Sequence, residues 1–165
     1  MALPSTVDKK LQAAVVHLET ALLDGIADGS LECATHTTSL RHFFVEPVEE
    51  FGCGLYTREL TVPAGLTFTG ALHRHAHMVF LLKGELLVIS ESGKKHIKAP
   101  HTWSAPAGTK RAFLALEDSI LTNVHLTKKC GIENLQEIED AIISPSYKEL
   151  GLAEPDLKTR AEYDI

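Results

Sequence analysis

The stretch His73-Arg74-His75-Ala76-His77 sets three imidazoles at alternate positions of the chain. In extended backbone, residues two apart project from one face, with α-carbons about 6.7 Å apart at ~3.3 Å of rise per residue. Two imidazoles so spaced can share one metal ion. All three can do so only if the chain bends, because the outer pair is twice as far apart. Imidazole nitrogen suits Zn, Fe, Ni, Cu and Mn to differing degrees. The bland alternative is a polar barrel mouth whose histidines are exposed or hydrogen-bonded to neighbours. His75 competes with His77 as the partner of His73.

Other side chains that carry chemistry are scattered. His125 sits in Leu121-Thr-Asn-Val-His-Leu, on the same strand face as Leu121 and Asn123, where a hydrogen-bonded structural histidine competes with a ligand. Arg111, if it points inward, repels a cation and attracts a carboxylate or phosphate. Glu117 or Asp118 could instead neutralise it. Glu59 and Glu85 read as strand-surface charges, since a lone carboxylate without a placed partner is weak evidence for acid–base chemistry. His96 and His101 lie near turns and are expected to be exposed; His17 reads as packing, and His36 and His42 lie in a stretch of weak pattern. The chain contains no phosphate loop, Ser-His-Asp order or paired-carboxylate signature. Cys33, Cys53 and Cys130 make an odd count without CxxC spacing, which suits reduced thiols acting as small buried hydrophobes.

Positioning such residues requires strands. Gly54 to Val62 alternates apolar and polar residues until Pro63-Ala64-Gly65 breaks it. Met78 to Ser90 is strongly β-prone, with a bend at Lys83-Gly84-Glu85. Lys95 to Ala99, Thr102 to Ala105, Arg111 to Leu116 and Ser119 to Thr127 are further short runs between turn signals. Short strands at this spacing predict a sandwich or barrel. His42 to Val45 could add a strand that Pro47 ends. Before the barrel, Leu11, Ala14, Val15, Leu18 and Leu22 recur at helical spacing, with Ser5 or Thr6 as cap and Asp24-Gly25 as stop; a second punctuation follows at Asp28-Gly29-Ser30. After it, Asn134-Leu-Gln-Glu137 reads as a capping box, Leu135, Ile138, Ala141 and Ile142 form one face, and Pro145 stops the helix. The predicted organisation is an N-terminal helix and extension (1–50), a barrel (51–128), and a C-terminal helix and tail (129–165).

With 165 residues, 44% apolar and 23% charged, the chain has the size and composition of an ordinary globular domain. A net charge of −6, with no basic run beyond a doublet, argues against a nucleic-acid partner. No signal-peptide pattern opens the sequence and no apolar run nears the ~20 residues of a membrane span, so a cytoplasmic location without membrane association is expected.

The histidine stretch resembles the first cupin motif, G-x5-HxH-x3-E-x6-G. Counting back from Gly84 aligns Gly65 with its opening glycine, His73 with the second histidine, His77 with the glutamate, and Ala71 with the first histidine. Pro100-x5-Pro106-Ala-Gly108-x2-Arg111 resembles the second motif, with Arg111 where a ligand histidine usually stands. The resemblance implies a mainly β fold: a single cupin barrel (a double-stranded β-helix or jelly roll) with flanking N- and C-terminal α-helices. The segments YTREL-VPAG, HxxxHxxxLLKGEL, APxxxxxPAGTKRAF and EDSILTNVH are similar to small cupin-like proteins encoded by tailed bacteriophages and prophages. In that group His73, His77 and His125 occupy recurring positions, which implies a divalent transition-metal site (Zn, Fe, Ni or Mn) and, if phage-encoded, a host cytoplasm. Cupins commonly pair, so a homodimer is expected, with a small-molecule ligand. The competing expectation is a metal-free module binding an anion at Arg111, or a phage accessory protein acting through its apolar helix faces.

Overall fold

The computed structural model describes residues 7–155 and 157. Its first helix, α1 (Lys9–Asp28), begins at Asp8, whose carboxylate accepts from the backbone N–H groups of Lys10 and Leu11 at 2.9 and 3.2 Å. Capping therefore falls to Asp8; Ser5 and Thr6 lie outside the described residues. The helix runs through the expected stop at Asp24-Gly25 and ends at Gly29, in the left-handed conformation. Gly25 is instead a packing position: a Cβ there would stand 2.7 Å from Leu31 Cδ1.

Nine strands follow among the described residues. They are β1 (Ser39–Val48), β2 (Cys53–Val62), β3 (Thr67–Thr69), β4 (His77–Lys83), β5 (Glu85–Ser90), β6 (Gly93–Lys98), β7 (His101–Ala105), β8 (Arg111–Ala115) and β9 (Ser119–Thr127). One sheet has the order β1-β2-β9-β4-β7 and the other β3-β8-β5-β6, all pairs antiparallel. This is a jelly-roll barrel, mainly β with flanking helices, as the sequence predicted. β1 is longer than the His42–Val45 run suggested. It continues past Pro47 to Val48 through a register shift between Val45 and Val48, an edge-strand irregularity that tolerates a residue without an N–H.

Alternation decides what enters the barrel. On β2, Tyr56, Arg58, Leu60 and Val62 share a face; on β9, Leu121, Asn123 and His125 do. Register pairs Tyr56 with His125, Arg58 with Asn123 and Leu60 with Leu121. The barrel floor is a core of Val62, Leu81, Leu86, Ala115 and Leu121, each at most 4% exposed. Burial of that kind contributes about 1.5–3 kcal/mol per large aliphatic side chain. The bend between β4 and β5 sends the chain from one sheet to the other. It turns on Gly84, whose φ of 88° is open to glycine and where a Cβ would lie 2.6 Å from the Asp118 carbonyl oxygen.

A second, smaller core forms outside the barrel. Helix α2 (Leu135–Ile142) lays Ile138 and Ile142 on Tyr56, with Phe44 at the edge. The expected capping box is not made: the Asn134 amide donates to the Cys130 carbonyl oxygen, and Glu137 pairs with Lys129. None of the three cysteines is buried; Cys33 is exposed and the others half-buried, all as free thiols. Glu59 departs from its surface reading, since it is buried beneath Arg41, which donates to it through Nε and Nη2. Glu85 is held by His96 and Lys98 across β5 and β6.

Candidate metal centre

Two histidines come from neighbouring strands and one from a loop. His77 opens β4 and His125 lies on β9, one step beyond the Met78–Val124 pair, so the two stand opposite each other with rings 4.4 Å apart. Both are buried. Beside His77 on β7 sits Ala105, whose small side chain leaves the ring its space. His73 belongs to no strand. The chain bends between residues 73 and 77, and the His73 ring lies 4.2 Å from that of His77 and 4.9 Å from that of His125.

That bend is fixed by contacts distant in sequence. His73 forms an isolated bridge with Ile143, and its carbonyl oxygen accepts from Gly108 N–H at 2.9 Å. Arg74 N–H donates to the Ile142 carbonyl and Ser144 N–H to that of Leu72, both at 2.8 Å. The Arg74 guanidinium donates to the Ile143 carbonyl at 2.9 Å and pairs with Glu149 at 2.9 Å. The segment following α2 thus clamps the loop that carries His73.

The outcome is a group of three imidazoles whose candidate ligand nitrogens all lie within 4.8 Å of one another. His75, the alternative partner, is exposed and outside this group; its carbonyl lies 3.3 Å from His77 Nδ1. Burial holds the His73 pKa down to about 2, helped by His77, His125 and then Arg111 and Arg58. Burial likewise lowers His125 to about 3, with His77 and Arg58 adding to it, and lowers His77. Neutral imidazoles carry free lone pairs, the form a cation needs. His125 Nε2 is buried with no hydrogen-bond partner. An orphaned buried nitrogen is costly unless something occupies its lone pair, and an ion shared with His73 and His77 would do so.

Behind His125 lies a polar relay. Tyr56, fully buried, stacks on His125 with ring centroids 6.2 Å apart. Its hydroxyl donates to Glu139 at 3.5 Å and sits 2.8 Å from His42 Nδ1, which in that arrangement is the donor. Burial and the Glu139 charge raise the Tyr56 pKa to about 12, keeping the phenol protonated. Arg58 approaches the same Glu139 carboxylate at 3.7 Å.

His73 and His77 open on a cavity of about 330 Å³ inside the barrel, which Arg58, Arg111 and Asn123 also line among apolar walls. Arg111 is half-buried and points to this space. Neither acid expected to neutralise it does: Asp118 accepts from Ala64 N–H, and Glu117 lies near Lys98. The charge it feels is that of Glu91. His96 and His101 are exposed as expected, and His17 is half-buried with its Nε2 unpartnered. Tyr56 and Arg58 were not singled out in the sequence, and His42 was placed only in a stretch of weak pattern. A signal existed for Arg58, which shares its strand face with Leu60 and Val62; for His42 there was none.

No protein-family model matches this sequence, and no curated protein does. Among solved structures the chain is similar to KdgF from Halomonas sp., at 17% identity over 59% of this chain and 84% of that one, with a TM-score of 0.46. It is similar to an RmlC-like cupin from Shewanella frigidimarina at 16% identity over 63% and 86%, with a TM-score of 0.45. A salicylate 1,2-dioxygenase from Pseudoaminobacter salicylatoxidans shares 11% identity over 74% of this chain and 32% of that one, with a TM-score of 0.48. By its own strand order and register, this chain is an antiparallel jelly-roll barrel that gathers three imidazoles.

Proposed function

We propose that this protein is a metal-binding cupin-like protein in which His73, His77 and His125 hold one divalent transition-metal ion beside a cavity that admits a small molecule. The observation that carries the reading is the convergence of three neutral imidazoles within 4.8 Å, one with an orphaned buried nitrogen. A three-histidine set leaves positions for water or substrate, and a bound ion would act there as a Lewis acid. The chain's own residues do the rest. Tyr56 packs against the His125 ring, the Ile142–Ser144 segment holds the His73 loop, and Arg58 and Arg111 bring positive charge to the cavity wall.

Elemental analysis of protein made without a metal-affinity tag tests this. The expected result is about one equivalent of a transition metal, lost in the His73→Ala and His125→Ala variants. Less than about a tenth of an equivalent after loading with Zn, Fe, Ni and Mn in turn contradicts it.

A second reading keeps the barrel metal-free, as a module that binds an anion at Arg111, or as an accessory protein of phage or prophage origin. The unpaired Arg111 favours the first form. For the second, and for homodimerisation, support comes from Phe43, Val45, Leu55 and Leu126, apolar side chains exposed in adjacent register on the outer face of β1, β2 and β9. Light scattering distinguishes a dimer from a monomer. The location we propose is the cytoplasm, and no helix among the described residues is long and apolar enough to cross a membrane.

A further inference from the structure

The charges that face the barrel cavity do not balance. Two guanidiniums, Arg58 and Arg111, and one carboxylate, Glu19, line it. Glu19 is already engaged, by Lys110 Nζ at 2.7 Å and Thr69 Oγ1 at 3.1 Å. Arg58 reaches its acid, Glu139, only at 3.7 Å and outside the cavity lining. Arg111 makes no ion pair among the described residues. Its charged neighbour Glu91 makes no ion pair with it: Oε1 accepts from Thr109 at 2.8 Å, and Oε2 is buried without a hydrogen-bond partner. A guanidinium drawn out of water without a carboxylate against it is expensive, and an anionic occupant relieves that cost.

The two guanidiniums enter from facing sheets. Arg58 projects from β2 of the five-stranded sheet, Arg111 from β8 of the four-stranded one, and His73 and His77 line the same cavity with them. Below them the wall turns apolar, with Leu60, Phe68, Val79, Trp103 and Phe113, the Phe68 and Phe113 rings stacked 4.9 Å apart. A bare inorganic anion would leave that wall uncovered, whereas a hydrocarbon body gains by covering it. At roughly 30 Å³ for each water-sized unit, the volume holds about ten non-hydrogen atoms.

We infer that the cavity takes a small organic carboxylate, its anionic group held between Arg111 and Arg58 and its apolar body laid against Phe68, Phe113 and Trp103. This rests on reading the cavity as the ligand site beside the three histidines, and it names the class of ligand. The planar guanidinium fork matches a carboxylate in two parallel hydrogen bonds, which a lysine cannot reproduce.

Calorimetric titration of the full chain tests the inference, on metal-loaded protein and on protein stripped with a chelator. The probes are hexanoate, benzoate and phenylacetate, each beside its neutral amide, and inorganic phosphate. The expected result is that at least one acid binds about tenfold or more tightly than its amide. Arg111→Gln should lose that preference, the acid losing more affinity than its amide, with metal content unchanged. If Arg111→Gln does not fold, Arg111→Lys carries the comparison, keeping the charge and losing several-fold in acid affinity. No acid exceeding its amide, phosphate binding more tightly than every acid, or wild-type acid affinity in the arginine variant each overturns the inference. Acid preference in a protein that takes up no metal upholds the inference and removes the metal reading. Metal uptake without acid preference does the reverse.

Discussion

Removing the two most shifted imidazoles should make the metal-free protein markedly less sensitive to acid. In the folded chain His73 titrates near 2 and His125 near 3, against an ordinary value of 6.5. Between those limits the unfolded chain binds protons that the folded chain refuses, so stability falls as pH falls. The contribution is complete above pH 6.5 and drains away as pH falls, down to about 3 for His125 and about 2 for His73. At pH 5 each unfolded imidazole sits 1.5 units below its pKa, worth about 2 kcal/mol, and the two together about 4 kcal/mol. The assay is urea unfolding of chelator-treated protein at pH 8 and pH 5, for the wild type and for His73→Asn/His125→Asn. The wild type should lose about 4 kcal/mol more than the variant between the two pH values. If the two losses agree within about 1 kcal/mol, these rings are not held neutral by burial and the electrostatic description of the site fails.

Arg74→Ala releases the clamp on the His73 loop; metal affinity should fall about 10–100-fold with far-UV circular dichroism unchanged, measured by competition with a chromophoric chelator. Tyr56→Phe strips the hydroxyl from a fully buried ring and strands its partners His42 and Glu139, and should cost about 1–3 kcal/mol in urea unfolding. Leu81→Ala, 1% exposed in the barrel floor, should cost about 2–5 kcal/mol in the same assay. Gly84→Ala forces a side chain into a left-handed position against Asp118 and Ser119, so its thermal midpoint should fall by several degrees, since about 1 kcal/mol moves a domain of this size by roughly 2–4 °C.

The barrel was legible because strand alternation and turn residues are local signals: Gly54 to Val62 and Ser119 to Thr127 show in their own residues which face turns inward. The extra length of β1 was hidden, because an edge strand with exposed Phe43 and Val45 and a proline near its end lacks a clean period. Helix ends were misplaced where tertiary contacts override local punctuation, as when Gly25 packs under Leu31 rather than ending α1. At the site, alternation alone puts His73, His75 and His77 on one face. The structure parts them, because Ile142–Ser144 and Gly108 pull residues 72–74 out of the strand, a contact across about 70 residues that no local pattern announces. His125 came from the motif resemblance more than from its own strand. The sequence offered Arg111 as a charge only on the condition that it points inward, and its closeness to Glu91 was not legible, since that depends on how β8 meets the turn after β5.

X-ray anomalous scattering from a crystal of untagged, metal-loaded protein bears most directly on the central claim. A single strong peak should lie within about 2.0–2.3 Å of one nitrogen from each of His73, His77 and His125. A map without a peak among those three rings, or with its strongest peak at His96 and Glu85 on the barrel surface, contradicts it.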